Sequence, residues 1–147
     1  MIAFDLSAKR TGIARLHNGS WRVTSDPFEV AWIASHIRTM AHLDHTHAAI
    51  ELPSLCARNP KVYGTLMRLV GAVEALCKLN GIEVVLVPAK TWQASWGIAG
   101  LPRAAGKRRS IEIAKRLGVD VANDDESDAV LLGEYARCQM EREARAK

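Results

Sequence analysis

The sequence predicts an α/β protein built on one five-stranded mixed sheet with helices around it. Three observations lead to this fold class. Three short apolar segments open the chain, and the last two are joined by Asn18-Gly19, a dipeptide typical of tight hairpins. Two further apolar runs, 47–52 and 82–88, each follow a segment whose apolar residues have helical spacing. A three-stranded antiparallel meander followed by two parallel strands accounts for this order.

Each predicted element has a local reason in the sequence. The predicted strands cover residues 2–6, 11–17, 20–25, 47–52 and 82–88. The predicted helices cover residues 29–44, 60–80, 89–96, 107–117 and a last segment from about 123 to the C-terminus. The first helix is predicted from the spacing of its apolar residues, Val30, Ile33, Ile37 and Met40.

Proline and glycine mark several of the ends. Pro53 stops the fourth strand, Asn80-Gly81 ends the second helix, and Gly118 caps the basic helix that begins at 107. A flexible stretch is predicted around three glycines, Gly97, Gly100 and Gly106. The unbroken apolar run at 82–88 predicts a strand in the centre of the sheet, because central parallel strands are covered on both faces.

The connection between the first and fourth strands decides the sheet order. Strand 2–6, the helix at 29–44 and strand 47–52 form a right-handed crossover unit, which makes the two strands parallel neighbours. No linker or internal repeat interrupts the chain, and 147 residues are enough to enclose a full core. We therefore predict one domain that covers residues 1–147.

Composition narrows the class of protein. Apolar residues make up 48% and charged residues 24%, as in ordinary soluble proteins, and no apolar run is long enough to span a membrane. The N-terminus lacks a signal-peptide pattern, so we expect a cytosolic protein with no membrane partner. Cys56, Cys77 and Cys138 have no paired spacing and are predicted to be reduced thiols. The net charge of +4 favours an anionic partner.

Acidic residues stand where apolar residues would be expected. Asp5 lies inside the first strand, and Glu51 ends the apolar run of the fourth strand. If these strands are parallel neighbours, both carboxylates lie at the carboxyl edge of the sheet, where open α/β sheets place their sites. Asp125 and Asp128 are three residues apart, so they share one face of the last helix. Asp124 and Ser127 are predicted to point elsewhere.

Two interpretations of these acids compete. Acids in the first turn of a helix stabilise its dipole, and Asn123 with Glu126 resembles a capping box. Four converging carboxylates, in contrast, repel each other unless a cation lies between them. Mg²⁺ and Mn²⁺ prefer oxygen ligands, and two such ions activate a water in phosphodiester cleavage. The joint pattern favours a site for two Mg²⁺ or Mn²⁺ ions.

The motifs in their order resemble the RuvC family of Holliday-junction resolvases, within the RNase H-like superfamily. "DLSAKRTGIA" is similar to the opening aspartate strand of that family, and "AIELP" to the segment of its second acid. "GKRRSIEIAKRLGVDVANDDESDAVLL" resembles its lysine-bearing helix and closing D-x-x-D-A motif. The short "DLS" opening is closest to phage-type members.

The resemblance implies an RNase H-like nuclease fold and Mg²⁺-dependent nicking of four-way or other branched DNA. The implied metal ligands are Asp5, Glu51, Asp125 and Asp128, with Lys107 as a catalytic or phosphate-contacting lysine. It also implies a homodimer, which agrees with the surplus of apolar residues on the helix at 60–80. No aromatic residue lies between Glu51 and Asn59, where the bacterial family carries a base-probing one, so only a loose sequence preference is expected.

Basic residues are predicted to follow the DNA backbone around the same edge. Cations at the start of a helix oppose its dipole, so the run from Lys107 to Arg109 favours a phosphate site over a merely solvated face. The predicted DNA-binding residues are Lys9, Arg10, Arg58, Lys61, Arg103, Lys107, Arg108 and Arg109.

Other activities fit part of the pattern. An RNase H-like nuclease acting on RNA or RNA–DNA hybrids would share the fold, and a non-catalytic junction-binding module would share the basic surface. A sugar-kinase-like ATPase also opens with an aspartate strand, but this chain is too short for its second lobe. Trp92 and Trp96 are predicted to pack in the core instead of stacking on bases, and zinc binding by His45 and His47 is disfavoured because no third ligand lies near them.

Overall fold

A computed structural model of the chain describes residues 1–7, 9–27, 29–43, 45–54 and 60–146. The strands are β1 (Ile2–Asp5), β2 (Arg10–His17), β3 (Ser20–Pro27), β4 (His47–Leu52) and β5 (Glu83–Pro88). The helices are α1 (Val30–His42), α2 (Pro60–Leu79), α3 (Ala89–Ser95), α4 (Arg103–Arg116) and α5 (Asp124–Arg145).

The five strands form one mixed sheet in the order β3-β2-β1-β4-β5. β1, β2 and β3 pair antiparallel, whereas β1 pairs with β4 and β4 with β5 in parallel. The predicted fold class is therefore confirmed, including the parallel neighbourhood of the first and fourth strands. The hairpin between β2 and β3 is confirmed as well, since Asn18 and Gly19 both have the positive φ angles, 49° and 75°, of a tight two-residue turn.

Helices cover both faces of the sheet and produce two cores. One core contains Ile2, Phe4 and Ile50 from the sheet together with residues of α1 and α2. The other contains Ala3 and Ala49 together with residues of α3, α4 and α5. Successive residues of a strand point to opposite faces, so neighbouring residues of β1 and β4 belong alternately to one core and to the other.

Two helix ends follow the predicted glycine caps. In α4, the Gly118 amide donates to the Lys115 carbonyl and the Val119 amide to the Ala114 carbonyl, at 3.0 and 3.1 Å. This pair of bonds is the Schellman motif, and the φ of 80° at Gly118 is the left-handed conformation that it requires. The same pattern ends α2, where Gly81 and Ile82 bond back to Lys78 and Cys77.

Two predictions about the second half of the chain are wrong. Helix α4 begins at Arg103, four residues before the predicted start, so Gly106 is helical and Lys107, Arg108 and Arg109 lie beyond the first turn. The argument from the helix dipole therefore does not apply to these three residues. Strand β5 lies at an edge of the sheet and not at its centre. Its apolar residues contact both helix layers, Val84 against one core and Val85 against the other, while Leu86 stays exposed.

Two further observations concern the described residues only. None of the helices there is long and apolar enough to cross a membrane. Cys77 is buried and Cys138 partly exposed, and both are free thiols, while Cys56 lies outside the described residues.

Candidate active site

The strand alternation points Asp5 and Glu51 to the same face of the sheet. Ala3 and Ala49 pair across β1 and β4 and belong to the core beneath α5. Asp5 and Glu51 follow them by two residues, so they face the same helix layer at the carboxyl ends of the two strands. Continuing the parallel register places the two carboxylates side by side, as the sequence predicts.

Helix α5 brings the next acids to this edge. Its N-cap is Asn123, whose side-chain oxygen accepts a hydrogen bond from the Glu126 amide at 3.0 Å. The Glu126 carboxylate is buried and accepts bonds from Ser25 Oγ at 3.0 Å and the Ala122 amide at 2.8 Å. Half of the predicted capping box is therefore present, and Glu126 ties the start of α5 to β3 instead of closing the box.

Gly12 allows α5 to approach the sheet closely at this point. It pairs with Asp5 across β1 and β2, and a Cβ at this position would lie 2.0 Å from the Asp125 carbonyl oxygen. A real Cβ cannot approach a backbone oxygen so closely, so any side chain here displaces the first turn of α5. Gly12 is thus what lets the helix carrying Asp125 lie directly beside the strand carrying Asp5.

Replacement of Gly12 by alanine should move this helix start and lower stability. Overpacking of this kind costs about 1–3 kcal/mol, and we expect a lower thermal midpoint. Gly71→Ala is the matched control, because a Cβ on Gly71 in α2 meets no other atom and alanine favours a helix. Thermal unfolding of both variants measures the difference. A Gly12→Ala protein as stable as the wild type would show that the close approach is unimportant.

A cavity of about 360 Å³ opens at the same edge. Its acidic wall consists of Asp5, Asp124, Asp125 and Asp128. Arg103 and Lys107 of α4 form its basic wall. Glu51 does not line this cavity, although its charge is close enough to influence Asp5. The expectation that Asp124 points elsewhere is wrong, since it lines the cavity and forms an ion pair with Lys107.

The carboxylates raise each other's pKa values. Burial raises the pKa of Asp5 well above its usual range, and the charges of Glu51, Asp128, Asp125 and Asp124 raise it further. Burial likewise raises the pKa of Glu51 to about 7 and that of Asp128 to about 6. The pKa of Asp125 is raised by burial and by Asp124, against the opposing effect of Lys107 and Arg10. The negative charge of the acids at this edge is therefore only partly balanced by the positive charge of the basic residues near them.

Neutral hydrogen-bond donors hold two of these carboxylates. Trp92 Nε1 donates to Glu51 Oε2 at 2.8 Å, and Ser110 Oγ donates to Asp128 Oδ1. Sequence reasoning missed both donors. A signal was present for Ser110, which lies three residues after Lys107 and so on the same face of α4.

In their chemical type, the four predicted ligand side chains suit a hard divalent cation. The four predicted ligands are carboxylates, whose oxygens Mg²⁺ and Mn²⁺ prefer. Burial is the largest cause of their raised pKa values, and the neighbouring acids add a repulsion that a cation would relieve. Within the described ranges, however, no group of three or more His, Cys, Asp or Glu side chains is gathered closely enough to hold a metal ion. The four carboxylates therefore lie near one another without being arranged around a single point.

The predicted DNA-binding residues divide into three groups. Arg103 and Lys107 line the cavity, and Arg10 lies near enough to Asp125 to lower its pKa. The side chains of Lys9, Lys61 and Arg108 are exposed, and Arg109 forms an exposed ion pair with Glu112 at 3.6 Å. Arg58 lies outside the described residues.

The weaker candidates turn out to be structural. Trp92 is 1% exposed and belongs to the core beneath α5, whereas Trp96 is partly exposed, packs against that core and donates to the Leu131 carbonyl at 3.0 Å. His45 Nδ1 lies 2.5 Å from the Met1 amino group, whereas His47 pairs with Glu83, so the two histidines have separate partners.

Comparison with solved structures identifies the fold. Over 94% of this chain and 96% of the other, it resembles Thermus thermophilus RuvC in complex with a Holliday-junction substrate, at a TM-score of 0.65 and 15% identity. A second Thermus thermophilus RuvC structure gives 0.64 at 14% identity, covering 95% of this chain and 97% of the other. Fowlpox virus resolvase with Holliday-junction DNA gives 0.59 at 14% identity, covering 95% and 99%.

The chain therefore has the RuvC-like fold of Holliday-junction resolvases. The resemblance inferred from the sequence motifs is confirmed at the level of the fold. No family model and no curated protein matches the sequence.

Proposed function

We propose that this protein is a metal-dependent, structure-selective endonuclease of one domain, residues 1–147, that nicks four-way or other branched DNA junctions. One observation carries the proposal: carboxylates from β1, β4 and α5 converge at one sheet edge, next to the basic wall of α4. The fold that carries them is shared with two resolvases whose structures contain junction DNA.

The proposed roles follow from these positions. Asp5, Glu51, Asp125 and Asp128 would hold two Mg²⁺ or Mn²⁺ ions, which supply an activated water and stabilise the leaving oxygen. Lys107 lines the cavity together with the acids, where its charge favours the ionised forms of Asp125 and Asp128 and would meet the scissile phosphate. Arg103 stands on the same wall, placed to contact a neighbouring phosphate.

Basic side chains around the cavity should set the salt dependence of DNA binding. Replacing Arg103 and Arg108 together by glutamine should reduce the slope of log affinity against log salt by about two, since each lost phosphate contact removes about one. The control pair is Lys115→Gln with Arg116→Gln, exposed at the far end of the same helix. Fluorescence anisotropy over a salt series measures the slopes. Equal slopes in the two double variants would place the DNA elsewhere.

We propose a homodimer formed through α2. This helix buries Val70, Val73 and Cys77 against the sheet, while Leu79 is 83% exposed and both Leu66 and Met67 remain partly exposed. A second copy would cover this remaining apolar surface, and a two-fold axis would present two sites to opposing strands.

Light scattering should therefore give twice the chain mass of 16.1 kDa. On a junction free to migrate, cuts should appear in symmetric pairs spread over several sequences, because no aromatic lies between Glu51 and Asn59. A monomer at micromolar concentration would remove the basis for paired cuts. Cuts confined to one short consensus would show that another residue reads the bases.

One experiment separates the proposed function from its rivals. Purified protein is incubated with a labelled four-way junction, a Y-fork, an RNA–DNA hybrid and linear duplex, each with and without Mg²⁺. The proposal expects Mg²⁺-dependent nicks mainly in the branched DNA. Preferred cleavage of the hybrid would indicate an RNA-directed nuclease. Tight junction binding without any cleavage would indicate a non-catalytic binding module.

A further inference from the structure

Two helices that contribute no carboxylate nevertheless reach the site with one neutral donor each. From α3, Trp92 Nε1 donates to Glu51 Oε2 at 2.8 Å. From α4, Ser110 Oγ donates to Asp128 Oδ1. Each donor is separated in sequence from its acceptor, by 41 and 18 residues, so tertiary packing alone brings the pairs together.

Both donors are held rigidly. Trp92 and Ser110 are each 1% exposed, and Trp92 belongs to the core beneath α5. The Ser110 oxygen also lies 2.9 Å from Ser127 Oγ, so the hydroxyl is held from a second side. A donor that packing holds in place restricts the rotamer of the carboxylate that accepts its hydrogen bond.

The chemistry of the two donors leaves the carboxylates able to bind a cation. An indole N–H can only donate, and it carries no charge. It therefore occupies one oxygen of Glu51 without taking the place of a bound cation. Lys107 does the opposite, because its ammonium group pairs directly with Asp124. Neutral donors therefore bond to the two partly buried carboxylates, whereas the charged group meets an acid outside the predicted ligand set.

We propose that Trp92 and Ser110 are positioning residues that orient Glu51 and Asp128 for binding of a divalent cation. This inference rests on the proposed function, since it assumes that these carboxylates are metal ligands. Its physical basis is preorganisation: a carboxylate already held in one rotamer loses less conformational entropy when it binds.

The test measures Mn²⁺ binding directly, by the loss of the free-Mn²⁺ electron paramagnetic resonance signal. Trp92→Phe keeps the aromatic ring and removes the N–H, and Ser110→Ala removes the hydroxyl. Each should weaken Mn²⁺ binding by about tenfold or more. The matched control is Trp96→Phe, because the Trp96 N–H bonds to a backbone carbonyl and not to a carboxylate. It should bind Mn²⁺ within about twofold of the wild type.

A second measurement follows the unmodified side chain in the wild-type protein. In the ¹⁵N-labelled wild type, the Trp92 indole signal, assigned by its loss in Trp92→Phe, should shift when Mg²⁺ is added. The Trp96 signal should shift less. Wild-type affinity in both test variants would overturn the proposal, as would an equal loss in Trp96→Phe. A wild type that binds no Mn²⁺ at millimolar concentration would overturn it as well.

The outcomes also separate this inference from the proposed function. If the wild type nicks junctions and both test variants bind Mn²⁺ normally, only the positioning role fails. If Mn²⁺ binding follows the expected pattern but no branched DNA is cut, the proposed function fails while the positioning role stands.

Discussion

Asp5→Asn and Asp128→Asn should each abolish junction nicking and leave junction binding within a few fold of the wild type. Asparagine has the same shape as aspartate but lacks the charge and one of the two oxygens that a divalent cation needs. Affinity for DNA depends instead on phosphate contacts by basic residues, which neither substitution touches. The expected loss in rate is at least three orders of magnitude, as for removal of a central catalytic group.

Thermal stability distinguishes this loss from unfolding. Without metal, both variants should melt at or above the temperature of the wild type at neutral pH, because each removes a charge that its acidic neighbours disfavour. Asp120→Asn, an exposed acid in the loop before α5, is the control and should cut normally. Gel assays with labelled junction measure both cleavage and binding. Cleavage by either site variant near the wild-type rate would show that the site is wrongly placed.

The metal-free protein should become less stable as the pH rises from about 5 to 8. Glu51 ionises at its ordinary pKa of 4.5 in the unfolded chain but at about 7 in the folded protein, and Asp128 at 3.8 and about 6. Between these values the folded state holds more protons than the unfolded state, so each rise in pH favours unfolding. The penalty is absent below the ordinary pKa values and complete above about pH 7.

Other groups limit stability on the acidic side. Arg137 and Trp21 hold the pKa of Glu134 below its usual value, so its contribution is present above about pH 4.5 and is lost on acidification. The thermal midpoint of the metal-free protein should therefore be highest near pH 5, against the opposing effect of His45 and the Met1 amino group, whose pKa values burial lowers. Mg²⁺ should reverse the decline at pH 8, adding about 2.7 kcal/mol at one hundred times its Kd.

Melting curves in chelator and in Mg²⁺, recorded from pH 4 to 8, measure both effects. Asp128→Asn should flatten the metal-free profile between pH 4 and 6, since it removes one of the shifted groups. A wild-type protein whose stability in chelator rises steadily towards pH 8 would contradict the charge repulsion. No stabilisation by Mg²⁺ at pH 8 would contradict the metal site.

Local patterns in the sequence were sufficient for the sheet and for the main acids. The alternation in β1 and β4 places Asp5 and Glu51 on one face, and the spacing of Asp125 and Asp128 places them on one face of α5. The hairpin at Asn18-Gly19 and the glycine-capped helix ends are equally local. Each of these features depends on the conformation of a few consecutive residues, which periodicity and turn chemistry determine.

Packing between distant segments decided the rest. Read alone, Gly106 predicts a break in a helix, yet it lies buried inside α4, where Ile98 packs 3.5 Å from the position of a Cβ. The apolar run of β5 does not reveal its place in the sheet, because a strand that contacts helices on both faces is apolar at an edge as well as at the centre. Its edge position depends on how the chain orders the strands. Neither outcome is visible in the composition of the segment itself.

The same distinction holds at the site. The sequence by itself determined that Asp5, Glu51, Asp125 and Asp128 reach the edge, because strand and helix periods set the direction of each side chain, whereas it misplaced Asp124. Only the tertiary structure decided what surrounds them: Trp92 on Glu51, Ser110 on Asp128, and Lys107 on Asp124. A hydrogen bond or ion pair between distant residues requires two side chains to meet within about 3 Å, and that meeting depends on how α3 and α4 dock on the sheet and α5.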